Sequence, residues 1–155
     1  MVQKVGVASD HAGKELKRMI LEFLAVNECE PSDYGVAADS VRSVDYPDYA
    51  ELVARDIADR KIDRGILICG TGIGMSITAN KVPGVRAAAI WDEYSCRMSR
   101  AHNDANVLCL GSRTINPHRA IDLVKIWLDT PFEGARHQLR LNKIRELEKK
   151  LLRQP

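Results

Sequence analysis

The chain has 155 residues, enough for one domain that buries roughly two-thirds of its unfolded surface without a metal or disulfide staple. Hydrophobic residues make up 45% and charged residues 28%, and 23 basic against 21 acidic side chains leave a formal net charge of +2. That balance demands neither a nucleic acid nor an anionic membrane as partner, and no apolar run approaches the length of a membrane span.

In chain order, apolar runs recur at Val5–Ala8, Gly65–Cys69, Ala87–Trp91 and Val107–Leu110. Segments of helical period lie between them. A weaker strand candidate occupies residues 29–36, and Pro31 within it points to a sheet edge. The first helix has Leu16, Met19, Ile20, Phe23 and Leu24 on one face. Pro47 opens a second helix whose Tyr49, Leu52, Val53 and Ile57 are spaced for burial, and Met75-Ser76-Ile77 start a third. Asn116-Pro117 is a start signal for a helix burying Ile121, Val124 and Trp127. The tail from 136 to 153 reads as a long amphipathic helix with Leu141, Ile144, Leu147 and Leu151 along one side. Strands alternating with helices predict a single Rossmann-like, doubly wound α/β domain over residues 1–155, with five parallel strands and about six helices. Ligands of such folds bind beyond the carboxyl ends of the strands, where this sequence places Ser9-Asp10-His11, Cys69 and Gly111-Ser112-Arg113.

The four cysteines, at 29, 69, 96 and 109, form no Cys-x-x-Cys pair and no zinc spacing. Free thiols fit a reducing cytoplasm, and the first residues carry no signal-peptide pattern. Cys69 is set apart by the glycine-rich stretch on its C-terminal side, Gly70-Thr71-Gly72-Ile73-Gly74. A thiol between a buried strand and a glycine-rich helix entry stands beside backbone N–H groups in surroundings that favour negative charge. The bland alternative is a small buried hydrophobe. The glycine spacing excludes a dinucleotide fingerprint and a Walker loop, and Met75 excludes a Cys-x5-Arg phosphatase. A tight anion nest remains.

The other polar groups leave alternatives open. Asp10 is either a helix cap or a catalytic carboxylate, and His11 beside it suits a phosphate or sugar hydroxyl. His102, next to Asn103, is either a dipole-compensating residue or a proton carrier for sugar ring opening. Arg136 and Arg140, four apart, make either a phosphate clamp or a solvated helix face. His137 shares that ambiguity, and His118 is assigned to solvent.

Taken together, Ser9-Asp10-His11-Ala12-Gly13, Asp45-Tyr46-Pro47-Asp48-Tyr49-Ala50, Cys69–Gly74, Ala79-Asn80-Lys81, Ser99–Asn103, Gly111-Ser112-Arg113 and Glu133–His137 resemble the type B ribose-5-phosphate isomerases, collinearly over nearly the whole chain. The wider family includes enzymes of galactose 6-phosphate and allose 6-phosphate. The resemblance implies aldose–ketose isomerisation of ribose 5-phosphate and ribulose 5-phosphate through an enediolate, without metal or organic cofactor. It implies Cys69 as the base, the N–H groups of Gly70, Gly72, Ile73 and Gly74 on the enediolate oxygen, and Thr71 at the sugar oxygens. His102, helped by Asp10, would open the ring; Asn103 would contact substrate; His11, Arg113, Arg136 and Arg140 would hold the phosphate. Some members carry serine at position 69 and a glutamate base at position 75, so cysteine with Met75 favours the thiol. One departure is Ala135, where many members have glycine. The resemblance further implies a homodimer or a tetramer with shared sites, the terminal helix contributing. A six-carbon sugar phosphate and a non-catalytic sensor are the alternatives, and a sensor needs no proton-transfer group.

Overall fold

The structure, a computed structural model, describes residues 2–153. Five strands alternate with helices: β1 (Gln3–Ser9), α1 (Lys14–Ala25), β2 (Cys29–Asp33), α2 (Tyr46–Ala58), β3 (Arg64–Cys69), α3 (Ile73–Ala79), β4 (Ala87–Ala89), α4 (Glu93–Ala101), β5 (Val107–Gly111), α5 (Pro117–Asp129) and α6 (Ala135–Leu152). A short 3-10 turn, His11–Gly13, precedes α1. The sheet is parallel throughout, in the order β2-β1-β3-β5-β4. No helix among the described residues is long and apolar enough to cross a membrane.

The period-two alternation of the strands divides the core between the two faces. Val5, Val7, Ile66, Ile68, Leu108 and Leu110 pack with α1 and α5 around the fully buried Trp127. Leu67, Cys69, Val107 and Cys109 face the other way, onto Ala50, Val53 and Ile57 of α2 and Met75 and Ala79 of α3. Strand parity therefore turns the Cys69 side chain toward the helix that its own loop begins.

Several boundaries differ from the sequence reading. The helix expected from Met75 begins at Ile73, because Gly72 takes φ 83° and turns the chain into α3 directly. The strand expected over Ala87–Trp91 stops at Ala89, and Trp91 is half exposed. Leu52, expected inside, is half exposed, and Ala54 takes the inward place. Asn116 caps α5 through the His118 N–H, as its position before Pro117 suggested, and His118 is exposed. The apolar pattern of α1 concealed a charge. Lys17 is buried, with Nζ 2.7 Å from both Asp33 oxygens and 3.0 Å from the Val36 carbonyl. Asp33 is itself half exposed, so water screens part of this pair, and Lys17 pins the exit of the edge strand β2 through Asp33 and the Val36 carbonyl together.

Candidate active site

At the carboxyl edge the strand ends are stitched together by short hydrogen bonds. The Ser112 hydroxyl donates to the carbonyls of Ala12 (2.9 Å) and Cys69 (3.2 Å), and the N–H groups of Ser112 and Arg113 reach Cys69 and Gly70. The Arg113 side chain runs alongside Gly70. Asp10, at the end of β1, is buried, and its Oδ1 accepts the Ala12 N–H at 2.9 Å, so the cap alternative is realised in the 3-10 turn. His11 is exposed, with Nδ1 3.2 Å from both the N–H and the carbonyl of Val44. A neutral imidazole accepts the Val44 N–H there and keeps its Nε2–H free to donate outward.

Cys69 lies at the centre of this edge, 5% exposed. Its sulfur accepts the Gly72 N–H at 3.1 Å, an arrangement suited to a thiolate, which can only accept. The left-handed backbone of Gly72 aims that N–H, and a Cβ there would also meet the backbone of Cys109 and Leu110 at 3.0–3.2 Å. Thr71 turns its hydroxyl back to accept the Ile73 N–H at 3.3 Å, closing the loop that includes the predicted nest residues. Burial pushes the Cys96 thiol up to about 12 and raises Cys109 as well, while Cys29 sits at the far end of β2. Those three are poor candidates for a base at neutral pH.

Tyr46 stands in one of the resembled motifs, and sequence reasoning assigns it no role. Its ring lies so close over Gly74 that a Cβ there would meet it at 2.6 Å. The aromatic residue before the helix-opening Pro47 was the available signal, and it roofs the nest.

The remaining predicted residues are elsewhere. His102 caps the far end of α4, and the turn after it returns to the amino edge, where the Asn106 carbonyl accepts the Gly65 N–H at the start of β3. The five residue steps from Arg64 to Cys69, at about 3.3 Å each, separate the two edges by about 17 Å. The structure therefore brings Asp10, His11, Thr71, Cys69 and Arg113 together, and within one chain it does not bring His102, Asn103, Arg136 or Arg140 to them.

Three of these, His102, Arg136 and Arg140, belong to a second constellation. The His102 ring stacks on the buried His137 with centroids 4.0 Å apart and planes within 8°. Glu133 Oε2 is 3.7 Å from His102 Nε2 and 3.5 Å from His137 Nε2, and the Glu133 N–H is bonded to the Ala101 carbonyl. Nitrogens of Arg136 and Arg140 lie 3.4 Å from the two ring nitrogens of His137. Burial, followed by the nearby His102, Arg136 and Arg140, holds His137 below the usual histidine range and hence neutral at pH 7. His102, Glu133 and His137 each offer a ligand atom within 4.8 Å of the others. Parallel rings do not converge their lone pairs on one ion, however, and the two flanking guanidinium groups favour an anion over a cation. Ala135, the departure from the resembled pattern, sits at φ 47°, a conformation in which glycine is the relaxed choice.

Three comparisons bear on this arrangement. A family model described as ribose/galactose isomerase matches residues 5–144. A putative sugar phosphate isomerase of Bacillus subtilis is 50% identical over 149 residues, covering 96% of this chain and 99% of that protein. Among solved structures, ribose-5-phosphate isomerase B of Clostridium thermocellum aligns with a TM-score of 0.92 at 50% identity, covering 96% of this chain and 99% of that one. The Mycoplasma genitalium ribose-5-phosphate isomerase B with bound ribulose-5-phosphate aligns at 0.90 and 43% identity, covering 96% and 98%.

Proposed function

The chain belongs to the ribose/galactose isomerase family, and from that premise we propose that it interconverts D-ribose 5-phosphate and D-ribulose 5-phosphate with Cys69 as the proton-transfer base. The observation that carries the assignment is the Cys69 sulfur held by the Gly72 N–H at the mouth of a backbone nest. On the open-chain aldose, the Cys69 thiolate takes the proton from C2 and the C–H electrons form the C1–C2 double bond. The charge gathers on the C1 oxygen, where the N–H groups of the loop from Gly70 to Gly74 stabilise it. A proton moves from the C2 oxygen to the C1 oxygen, and the thiol returns its proton to C1, giving the ketose. Acid–base work of this kind needs no external oxidant, since C1 is reduced as C2 is oxidised. The relatives named for five-carbon substrates favour ribose 5-phosphate over a six-carbon sugar phosphate.

Furanose opening is assigned to His102, which relays the proton of the anomeric hydroxyl to the ring oxygen. Asn103 is a substrate contact, His11, Arg113, Arg136 and Arg140 hold the phosphate, Asp10 assists His102 in ring opening, and Thr71 lies at the sugar oxygens. Because the two sets lie on opposite edges of the sheet, the working site joins the carboxyl edge of one protomer to the amino edge of another. A homodimer supplies that geometry. Leu141, Ile144, Leu147 and Leu151 of α6 line an apolar groove of about 430 Å³ with Val85, Ala87 and Ala88 beside the edge strand β4. Ile144, Leu147 and Leu151 are 43%, 56% and 58% exposed in one chain, and a second copy covers them. The free cysteines fit a reducing cytoplasm.

Subunit complementation tests the whole reading. Cys69→Ala and His102→Asn homodimers should each lose nearly all turnover of ribose 5-phosphate. Mixing them with subunit exchange should restore about a quarter of wild-type activity, because half the dimers are hybrids and one site in each hybrid keeps both native groups. Active Cys69→Ala homodimers would remove the base assignment. Failure of the mixture to recover, with hybrids demonstrated by mass, would place both residues in sites of single-chain origin.

A further inference from the structure

Residues 102–106, between α4 and β5, carry His102 and Asn103 on a backbone whose next residue, Asp104, has φ 44°. L side chains rarely adopt that conformation, and it persists where the surroundings over-determine it. Two arginines do so here. Arg86 Nε donates to the carbonyls of Asn103 (3.1 Å) and Asp104 (3.0 Å), and its Nη2 donates to the Asp104 carbonyl (2.8 Å) and Oδ2 (2.9 Å). Arg100 Nη1 donates to Asp104 Oδ1 (2.8 Å) and to the Ala105 carbonyl (2.7 Å). Each carboxylate oxygen thus has its own guanidinium. Arg100 is itself 4% exposed, with its guanidinium carbon 5.7 Å from the Trp127 ring centroid, so it has little freedom to follow a displaced loop. From the other side, Asn106 accepts the Arg86 N–H at 2.7 Å and donates to the Gly84 carbonyl at 3.0 Å.

We propose that Asp104, clamped between Arg86 and Arg100, is a positioning residue for ring opening: it fixes the backbone from which His102 and Asn103 are presented to the sugar. This rests on the assignment of His102 to ring opening and adds to it the device that orients the imidazole. A carboxylate suits the position because its two oxygens hold the two arginines, and the left-handed turn at Asp104 sends the chain from Asn103 back toward β5, which begins at Val107. A main-chain clamp is also economical chemistry. It makes no bond of its own to the imidazole nitrogens of His102, of which Nε2 faces Glu133 Oε2 at 3.7 Å.

The test is a double-mutant cycle on the intact enzyme with ribose 5-phosphate as substrate. Asp104→Ala should lower kcat about 10- to 30-fold, with KM within about threefold. Asp104→Asn, which tolerates the left-handed turn but keeps only one acceptor oxygen, should recover part of that loss. In a His102→Asn background the same Asp104→Ala change should cost less than about threefold, because a residue acting through His102 has nothing left to position. Equal losses in the two backgrounds make Asp104 a general structural support and overturn the proposal, as does undiminished turnover by Asp104→Ala. Should Asp104→Ala fail to melt cooperatively, Arg86→Lys takes its place in the cycle, since lysine keeps the charge and loses the fork. A His102→Asn enzyme with wild-type turnover would instead remove the ring-opening assignment itself, and the two failures are told apart by that single variant.

Discussion

The two edges of the sheet are built on different principles. At the carboxyl edge the proposed chemistry rests on backbone: a buried sulfur, one aimed N–H, glycine at the turn, and serine and aspartate spent on tying strand ends together. At the amino edge it rests on long side chains: two arginines, two stacked imidazoles and one carboxylate, positioned by contacts among themselves. A carbon acid needs donors that are already in place when charge develops, and backbone at a rigid strand end provides them with little reorganisation. A mobile phosphate needs charge and reach, which arginine provides. One domain holds both kinds of site at opposite ends of β3, and the proposed homodimer is what unites them.

The sharpest break in that contrast is a single methyl group at the carboxyl edge. Gly72→Ala places a Cβ against the backbone of Cys109 and Leu110 and forces an L residue into φ 83°. Re-aiming the N–H that meets Cys69 should lower kcat about 100-fold or more, the scale of losing one oxyanion donor. Inhibition by inorganic phosphate should change much less, because the charged groups assigned to the phosphate, His11 and Arg113 at this edge and Arg136 and Arg140 at the other, are side chains that the substitution does not remove. A steady-state assay showing kcat intact would mean that the N–H contact to Cys69 is incidental.

A smaller effect, of opposite character, is expected at the amino edge. Arg140→Met removes one charge-assisted contact and should raise KM for ribose 5-phosphate about 10-fold, with kcat changed by less than about threefold. If Arg140→Met instead lowers kcat and leaves KM alone, the arginine acts on the reacting atoms and the separation of roles between the edges fails.

Much of this was readable in the sequence, and unevenly so. Strand runs and helix faces announced themselves by period, Pro31 correctly marked an edge strand, and Asn116-Pro117 marked a helix start. Cys69 and its glycines were legible because a strand end, a turn and a helix entry are all local. Lys17 was not, since nothing in an amphipathic pattern says which charge will meet Asp33 and a loop carbonyl. The exile of His102 was available in principle. A residue that comes after a helix and before a parallel strand stands at the amino edge, whereas one that comes after a strand stands at the carboxyl edge. What period and spacing could not supply is the packing of His137 on His102, because α6 reaches that edge only through tertiary contact.

The smallest expected effect probes that packing through pH. His137 is buried among like charges, so its folded pKa lies below the unfolded value of about 6.5. The unfolded chain therefore binds the proton more readily, and stability rises with pH across this window. The stabilisation belonging to the neutral imidazole is fully present above pH ~6.5 and is lost as pH falls through the folded value. His137→Phe keeps an aromatic ring to stack on His102 and cannot take a proton. Thermal melts at pH 7.5 and 5.5 should thus show a larger fall in Tm for wild type than for His137→Phe. Equal falls would mean that His137 charges freely in place, and then the amino edge gains a third cation in acid and should bind inorganic phosphate more tightly there. The two outcomes separate a ring that serves as a neutral spacer between Arg136 and Arg140 from one that joins them in the clamp.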